Sequence, residues 1–135
     1  MGKLRSIAFI YMVVLFVAAS LNYIPGLTDS EGRAFGVFAL DIYDDALHVA
    51  SGLWAGIAAM TSRRAARIFL LGFGLLYLTD GLLGLAAGSG YLDLGIINHG
   101  VLDLPIAFKI LANLPHIGGG AFAVYASYRY RAEAA

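Results

Sequence analysis

The sequence predicts an all-α membrane protein of four transmembrane helices, and three observations carry that reading. Of its 135 residues 60% are hydrophobic and the mean hydropathy is +0.78, more apolar side chain than a soluble domain of this size buries. Only 13% are Asp, Glu, Lys or Arg, about half the usual share, and these gather in short clusters between apolar runs. The runs themselves approach membrane length, since a hydrocarbon core of about 30 Å takes about 20 helical residues at about 1.5 Å each.

The first run, Ile7–Ile24, follows Lys3 and Arg5. It reaches Tyr23 without a small-x-small cleavage site and ends in Asn22-Tyr23-Ile24-Pro25-Gly26, so it reads as a retained helix and not a signal peptide. The second, Ala46–Thr61, and the fourth, Pro115–Tyr128, lie near the short limit and are expected to borrow residues from the loops before them. The third, Ile68–Ala87, is long enough by itself. Only Ser62–Arg67 joins helices two and three, which makes them antiparallel neighbours. The loop from about Gly88 to Leu114 is too long to lack structure of its own. Its apolar runs at Leu94–Ile97 and Leu104–Ala112 predict a short interfacial helix near Pro105–Ala112.

Basic residues orient the spans. Lys3, Arg5, Arg63, Arg64, Arg67, Arg129 and Arg131 fall at one set of helix ends, and only Arg33 and Lys109 at the other. Positive-inside then places the N- and C-termini in the cytoplasm. Asp29, Glu31, Asp41, Asp44, Asp45, Asp93 and Asp103 all fall in the two outer loops. The expected address is the cytoplasmic (inner) membrane, multi-pass.

The chain also reads as one domain, residues 1–135, built of two pseudo-repeated hairpins, about 5–61 and 63–130. Helices two and four open alike, Asp45-Ala46-Leu47-His48-Val49-Ala50-Ser51-Gly52 against Asn113-Leu114-Pro115-His116-Ile117-Gly118-Gly119-Gly120. Both follow Asx-x-x-His-x-x-x-Gly. Helices one and three end alike, with Asn22 four residues before Gly26 and Asp80 four residues before Gly84. Two hairpins of the same topology imply a parallel repeat about an axis along the membrane normal.

The stretches Leu27-Thr28-Asp29, Phe35–Asp41, Asp44–His48, Arg63–Arg67 and Tyr77–Gly84 resemble a bacterial family of small four-helix integral membrane proteins catalogued only as a domain of unknown function. Asn113–Gly120 looks like that family's second Asn-containing His-x-x-x-Gly helix start, whereas Asn98–Lys109 departs from its pattern as an insertion. The resemblance implies a fold and a membrane address. It carries no activity, and no catalytic residue transfers from it.

The polar residues inside the spans define a predicted buried cluster of Asn22, Asp45, His48, Asp80, Asn113 and His116. The repeat places His48 and His116 at matched positions, His and Gly four residues apart sharing a helix face. Facing imidazoles suit bis-histidine haem ligation or a shared metal. The plainer reading is that each His bonds across the helices to an acid such as Asp80, because lipid satisfies no polar group. Asp80, the one ionisable residue deep in a span, is a candidate for proton or cation movement, though few further polar residues extend a path from it. His99, Asp93 and Asp103 are nearer a solvated loop than a divalent-cation site. The absence of cysteine excludes disulfides, thiolate metal sites and a cysteine nucleophile. No nucleophile–base pair or phosphate-binding loop is present, and a net charge of zero without a basic face argues against nucleic acid.

Seventeen glycines point to close helix crossing. Gly52 with Gly56, Gly84 with Gly88, and the run Gly118, Gly119 and Gly120 are the predicted packing positions. These features together predict a non-enzymatic structural or accessory protein with no resident cofactor, its partners being lipid and other membrane subunits or itself. The alternatives are a haem- or metal-binding redox protein using His48 and His116, and a small proton or ion carrier using Asp80.

Overall fold

The computed structural model describes residues 2–30, 33–39 and 41–135, without the side chains of Asn22 and Ala39. Glu31 of the first acidic loop therefore lies outside the described residues. Helix α1 covers Lys3–Ser20 and runs into a 3-10 turn, Leu21–Tyr23. Strands β1 (Arg33–Ala34) and β2 (Phe38–Ala39) form a small antiparallel hairpin, Arg33 opposite Ala39. Helices α2 (Ile42–Thr61), α3 (Arg63–Ala87), α4 (Gly95–His99) and α5 (Ile106–Arg129) come next, and a 3-10 turn, Arg131–Ala134, closes the chain. The fold is mostly helical. Among the described residues two helices, Lys3–Ser20 and Arg63–Ala87, are long and apolar enough by themselves to cross a membrane.

Local chemistry moves several boundaries away from those the sequence predicts. Helix α2 begins at Ile42, before Ala46, because Asp41 and Asp44 form a reciprocal capping box: the Asp44 N–H donates to Asp41 at 3.0 Å and the Asp41 N–H to Asp44 at 3.1 Å. The predicted connection Ser62–Arg67 shrinks to Ser62 alone, whose extended backbone breaks the helix and whose hydroxyl accepts the Ala65 N–H at 2.9 Å. The separate interfacial helix expected at Pro105–Ala112 is instead the start of α5, which passes through Pro115 unbroken. Pro105, with φ of −55°, starts that helix, and one missing N–H at Pro115 does not end it. The short helix of the long loop is α4, over the first of the two apolar runs. The β1–β2 hairpin has no counterpart in the sequence prediction; Phe35 and Gly36 turn it with φ of +54° and +73°.

The four long helices pack chiefly as two pairs, α1 with α2 and α3 with α5. Helix α3 also touches α1 and α2, whereas α1 and α5 meet sparingly, one link being the Tyr11 hydroxyl on the Gly119 carbonyl at 2.5 Å. Small residues permit these approaches. Ala8, Ala55, Ala59, Ala66, Ala123 and Ala126 are buried around Leu4, Phe69 and Leu70. A Cβ on Gly81 would lie 2.9 Å from the Ile117 nitrogen, one on Gly74 2.8 Å from the Gly120 oxygen, and one on Gly120 2.5 Å from the Leu78 nitrogen. Gly52 and Gly56 similarly admit Phe16 and Met12, and Gly84 admits Asn113. Gly88 has another use, ending α3 with φ of +83°. A Cβ on Gly118 or Gly119 would meet nothing within 4 Å, so no close helix crossing requires glycine at either position here.

The basic residues collect at one end. Arg5 donates from Nε to the Ala59 carbonyl at 2.6 Å, and Arg67 to the Ser127 carbonyl at 3.0 Å. The Glu133 carboxylate accepts the Lys3 and Leu4 N–H groups at 3.0 and 3.1 Å, and these bonds hold its pKa below the usual carboxylate value. The two chain ends are thus joined at the first turn of α1. On the outward faces apolar residues stay exposed along all four long helices, among them Val13, Ile57, Ile68, Leu75, Leu111 and Phe122.

Gly81→Leu should abolish the folded state or lower its stability by about 1–3 kcal/mol or more, because the side chain meets backbone that cannot move aside. Gly118→Leu should leave the melt of the purified protein close to wild type. Thermal unfolding of both variants in mild detergent checks the pair.

Candidate functional site

The end opposite the basic cluster holds the polar groups. Asp80 lies in the penultimate turns of α3 and is 4% exposed. The chain after α3 folds back over it: the Tyr91 and Leu92 N–H groups both donate to Oδ1 at 2.8 Å. Gly90 makes this possible, since a Cβ there would sit 2.5 Å from the same oxygen. The Tyr91 hydroxyl fastens the segment again, 2.7 Å from the Thr79 hydroxyl and donating to the Leu76 carbonyl at 3.1 Å. From α5, His116 places Nδ1 2.5 Å from Asp80 Oδ2. One buried carboxylate thereby ties together α3, the following loop and α5.

His48 comes from α2. Its ring lies 6.2 Å from that of His116 and nearly perpendicular to it, and His116 in turn lies 4.8 Å from the Tyr77 ring. His48 is 8% exposed, and among the described residues its Nδ1 has no hydrogen-bond partner. Deeper, the Ser51 and Tyr77 hydroxyls share a hydrogen bond of 2.8 Å. Below them the interior turns apolar and aromatic, Tyr77 stacking on Phe73 at 4.0 Å and Phe73 on Phe69 at 5.1 Å, with Trp54 edge-on to Phe69 at 5.0 Å.

Of the predicted polar cluster the fold thus assembles His48, Asp80 and His116. Asn113 borders the cavity beside these residues but bonds to none of the three: its amide donates to the Lys109 carbonyl of its own helix at 2.8 Å, and its side chain lies against Gly84. Asp45 does not border that cavity, and accepts the Tyr23 hydroxyl at 3.0 Å beyond the end of α1. The Asn22 side chain lies outside the described residues. The inward-facing acid of α2 is Asp44, one helical turn before His48 and 8% exposed. Its spacing with His48, Ser51 and Ala55 traces one helix face, and that periodicity is the available signal. Asp44 precedes the apolar stretch 46–61. Burial and a hydrogen bond from the neighbouring Asp93 side chain raise its pKa well above the usual carboxylate range.

These groups border a cavity of about 390 Å³, within the size range of small-molecule sites. Asp44, His48, Asp80, Ser89, Asp93 and His116 line its polar side, while Ala18, Leu21, Phe38, Leu104 and Phe108 line the apolar side. His99 and Lys109 border it as well, and Arg33 stacks over the Phe108 ring at 5.0 Å. Asp103 is exposed and outside it. Among the described residues no group of three or more His, Asp or Glu is placed to hold a metal ion.

Asp80→Ala should cost about 3–5 kcal/mol, because two N–H groups and an imidazole lose their shared buried acceptor. Asp80→Asn, which keeps an acceptor oxygen, should cost less. Thermal melts and amide exchange at Tyr91 and Leu92 measure both effects, and equal protection in Asp80→Ala and wild type would refute the assignment.

No curated protein and no solved structure matches the chain. Residues 5–107 match the domain of unknown function DUF4383. That span contains the Asp44, His48 and Asp80 positions and stops before Asn113–Gly120, so the part of the resemblance that lies there is not covered. With about three-quarters of its length matched, the chain belongs to the DUF4383 family.

Proposed function

We propose that this is a non-enzymatic, multi-pass protein of the bacterial cytoplasmic membrane. Its four long helices cross the bilayer as a bundle with both termini cytoplasmic, and it works as a structural or accessory subunit through helix contacts with itself or a larger membrane complex. The observation that carries this reading is the division of its glycines. Gly52, Gly56, Gly74, Gly81, Gly84 and Gly120 are used within the fold, whereas a Cβ on Gly118 or Gly119 of α5 would meet nothing within 4 Å, Gly119 touching α1 through its carbonyl alone. The exposed Gly118 beside Leu111, Leu114 and Phe122 on an apolar helix offers the close approach by which helices associate in lipid. Exposed apolar faces on α2 and α5 support four crossings, although Asp44, Asp45 and His48 in one and Lys109 and His116 in the other lower their mean hydropathy.

Gly118→Leu should weaken association while preserving the fold, with size measured by native electrophoresis and by cross-linking in membranes. Cysteine placed at position 64 should be shielded from an impermeant reagent in intact cells, and cysteine at position 30 labelled. A Gly118→Leu variant as associated as wild type would remove the accessory reading. Labelling at 64 with protection at 30 would reverse the topology.

A second reading has one observation in its favour. The Asp80 contact on His116 Nδ1 is the carboxylate–imidazole arrangement that orients a metal-bound histidine, and His48 faces it. Purified protein with a Soret band lost in both His48→Ala and His116→Ala would favour this haem reading over the accessory one; its absence from protein expressed with ample haem would exclude it. The carrier reading through Asp80 has less support, because the polar groups stop at Ser51 and Tyr77 and the aromatic column below offers no relay.

A further inference from the structure

The cavity at the acidic end contains more unused hydrogen-bonding capacity than the Asp80–His116 pair explains. His48 and Ser89 are each more than nine-tenths buried, both border the cavity, and among the described residues neither His48 Nδ1 nor Ser89 Oγ has a partner. Leaving such groups unsatisfied costs free energy. Beside them Asp44 and Asp93 bring their carboxyl groups into contact. Two carboxylates this close repel unless a proton or another cation comes between them. The facing wall of Ala18, Leu21, Phe38, Leu104 and Phe108 is apolar.

We propose that this cavity binds a primary ammonium group carried on a small apolar body. Three N–H donors on a compact cation suit the acceptors available: the Asp44–Asp93 pair, the Ser89 hydroxyl and the His48 imidazole in the tautomer with Nδ1 unprotonated. The apolar wall takes the body of the ligand. A metal ion fits less well, since no group of three ligands is placed for one among the described residues. The inference rests on the fold and is independent of what the protein associates with.

The ammonium group takes over the position of the proton shared by Asp44 and Asp93, and that proton leaves to solvent. Binding therefore strengthens as pH rises through the raised pKa of Asp44. The groups around Asp44 are Asp41 at the cap of its helix, His48 one turn on, Tyr77 of α3 and Asp93 of the loop, with Asp80 and His116 beyond them and Arg33 and Lys109 also on the cavity border. The two bases make the opposite preference, for an anion, the competing outcome.

Calorimetry on the full chain in mild detergent, near neutral pH, compares phenethylamine, phenethyl alcohol and phenylpropanoate, which share one apolar body. Phenethylamine alone should bind saturably, releasing about one proton as judged from buffers of different ionisation enthalpy. Asp44→Asn and Asp93→Asn, which keep an acceptor for the Asp41 and Gly95 N–H groups, should each weaken it at least about tenfold, roughly 1.4 kcal/mol; Asp103→Asn should not. Should both variants unfold, the comparison of the three probes on wild-type protein decides alone. Nanodiscs with and without phosphatidylethanolamine then separate the sources: weaker amine binding when the lipid is present assigns the site to a lipid headgroup, and unchanged binding to free amines. Equal binding of all three probes, preference for the carboxylate, or no amine binding overturns the proposal.

Discussion

The close approach of α3 and α5 is the constraint on which the rest of this structure depends. Gly74, Gly81 and Gly120 bring backbone against backbone, and a Cβ on Gly81 would also stand 3.2 Å from the His116 Cβ. Because Asp80 is the residue before Gly81, the same contact that packs the helices delivers an imidazole to the carboxylate. Separating the helices by the width of one methyl group would strain the packing and break the 2.5 Å bond together. Packing and polar satisfaction are one event here, which suits a protein whose surroundings offer few alternative partners to a stranded carboxylate.

That carboxylate then organises the segment C-terminal to its helix. Gly90, Tyr91 and Leu92 are drawn back onto α3, and the cavity is left between the first helical pair, which supplies Asp44 and His48, and the second, which supplies Asp80 and His116. The polarity is one-sided: imidazoles, carboxyls and hydroxyls occupy the acidic end, and Phe73, Phe69 and small alanines fill the basic half. Polar groups that stop above an aromatic column are suited to holding something more than to passing it through.

The helical character, the grouping of basic residues at one end and the family membership are all legible in the sequence, because composition and charge clustering need no tertiary information. The pairing of α3 with α5 is less visible, since Gly74 and Gly81 do not stand four apart, whereas Gly84 and Gly88 do and serve different purposes. Asp45 stands out by matching Asn113 in the repeat, yet helical geometry turns its neighbour Asp44 inward. Gly90 has no sequence signal at all: its importance comes from an oxygen ten residues earlier in the chain, brought close by a loop whose path no local pattern encodes. Pro115 misleads for a physical reason too, because a proline that costs one hydrogen bond does not by itself end a helix supported by its neighbours on either side.

The Glu133 contact changes how the beginning of the chain should behave during synthesis. Helix α1 opens with Lys3 and Arg5 at the positive end of its dipole and has no acid in its first turn, an arrangement unfavourable to the helix itself. The missing negative charge comes from a residue 130 positions later. Until the ribosome has reached Glu133, the first turn of α1 lacks its cap and is free to fray. Its closure therefore waits for α5 to be made and seated beside α1, so the order of the first helical turn depends on the segment that follows the last long helix.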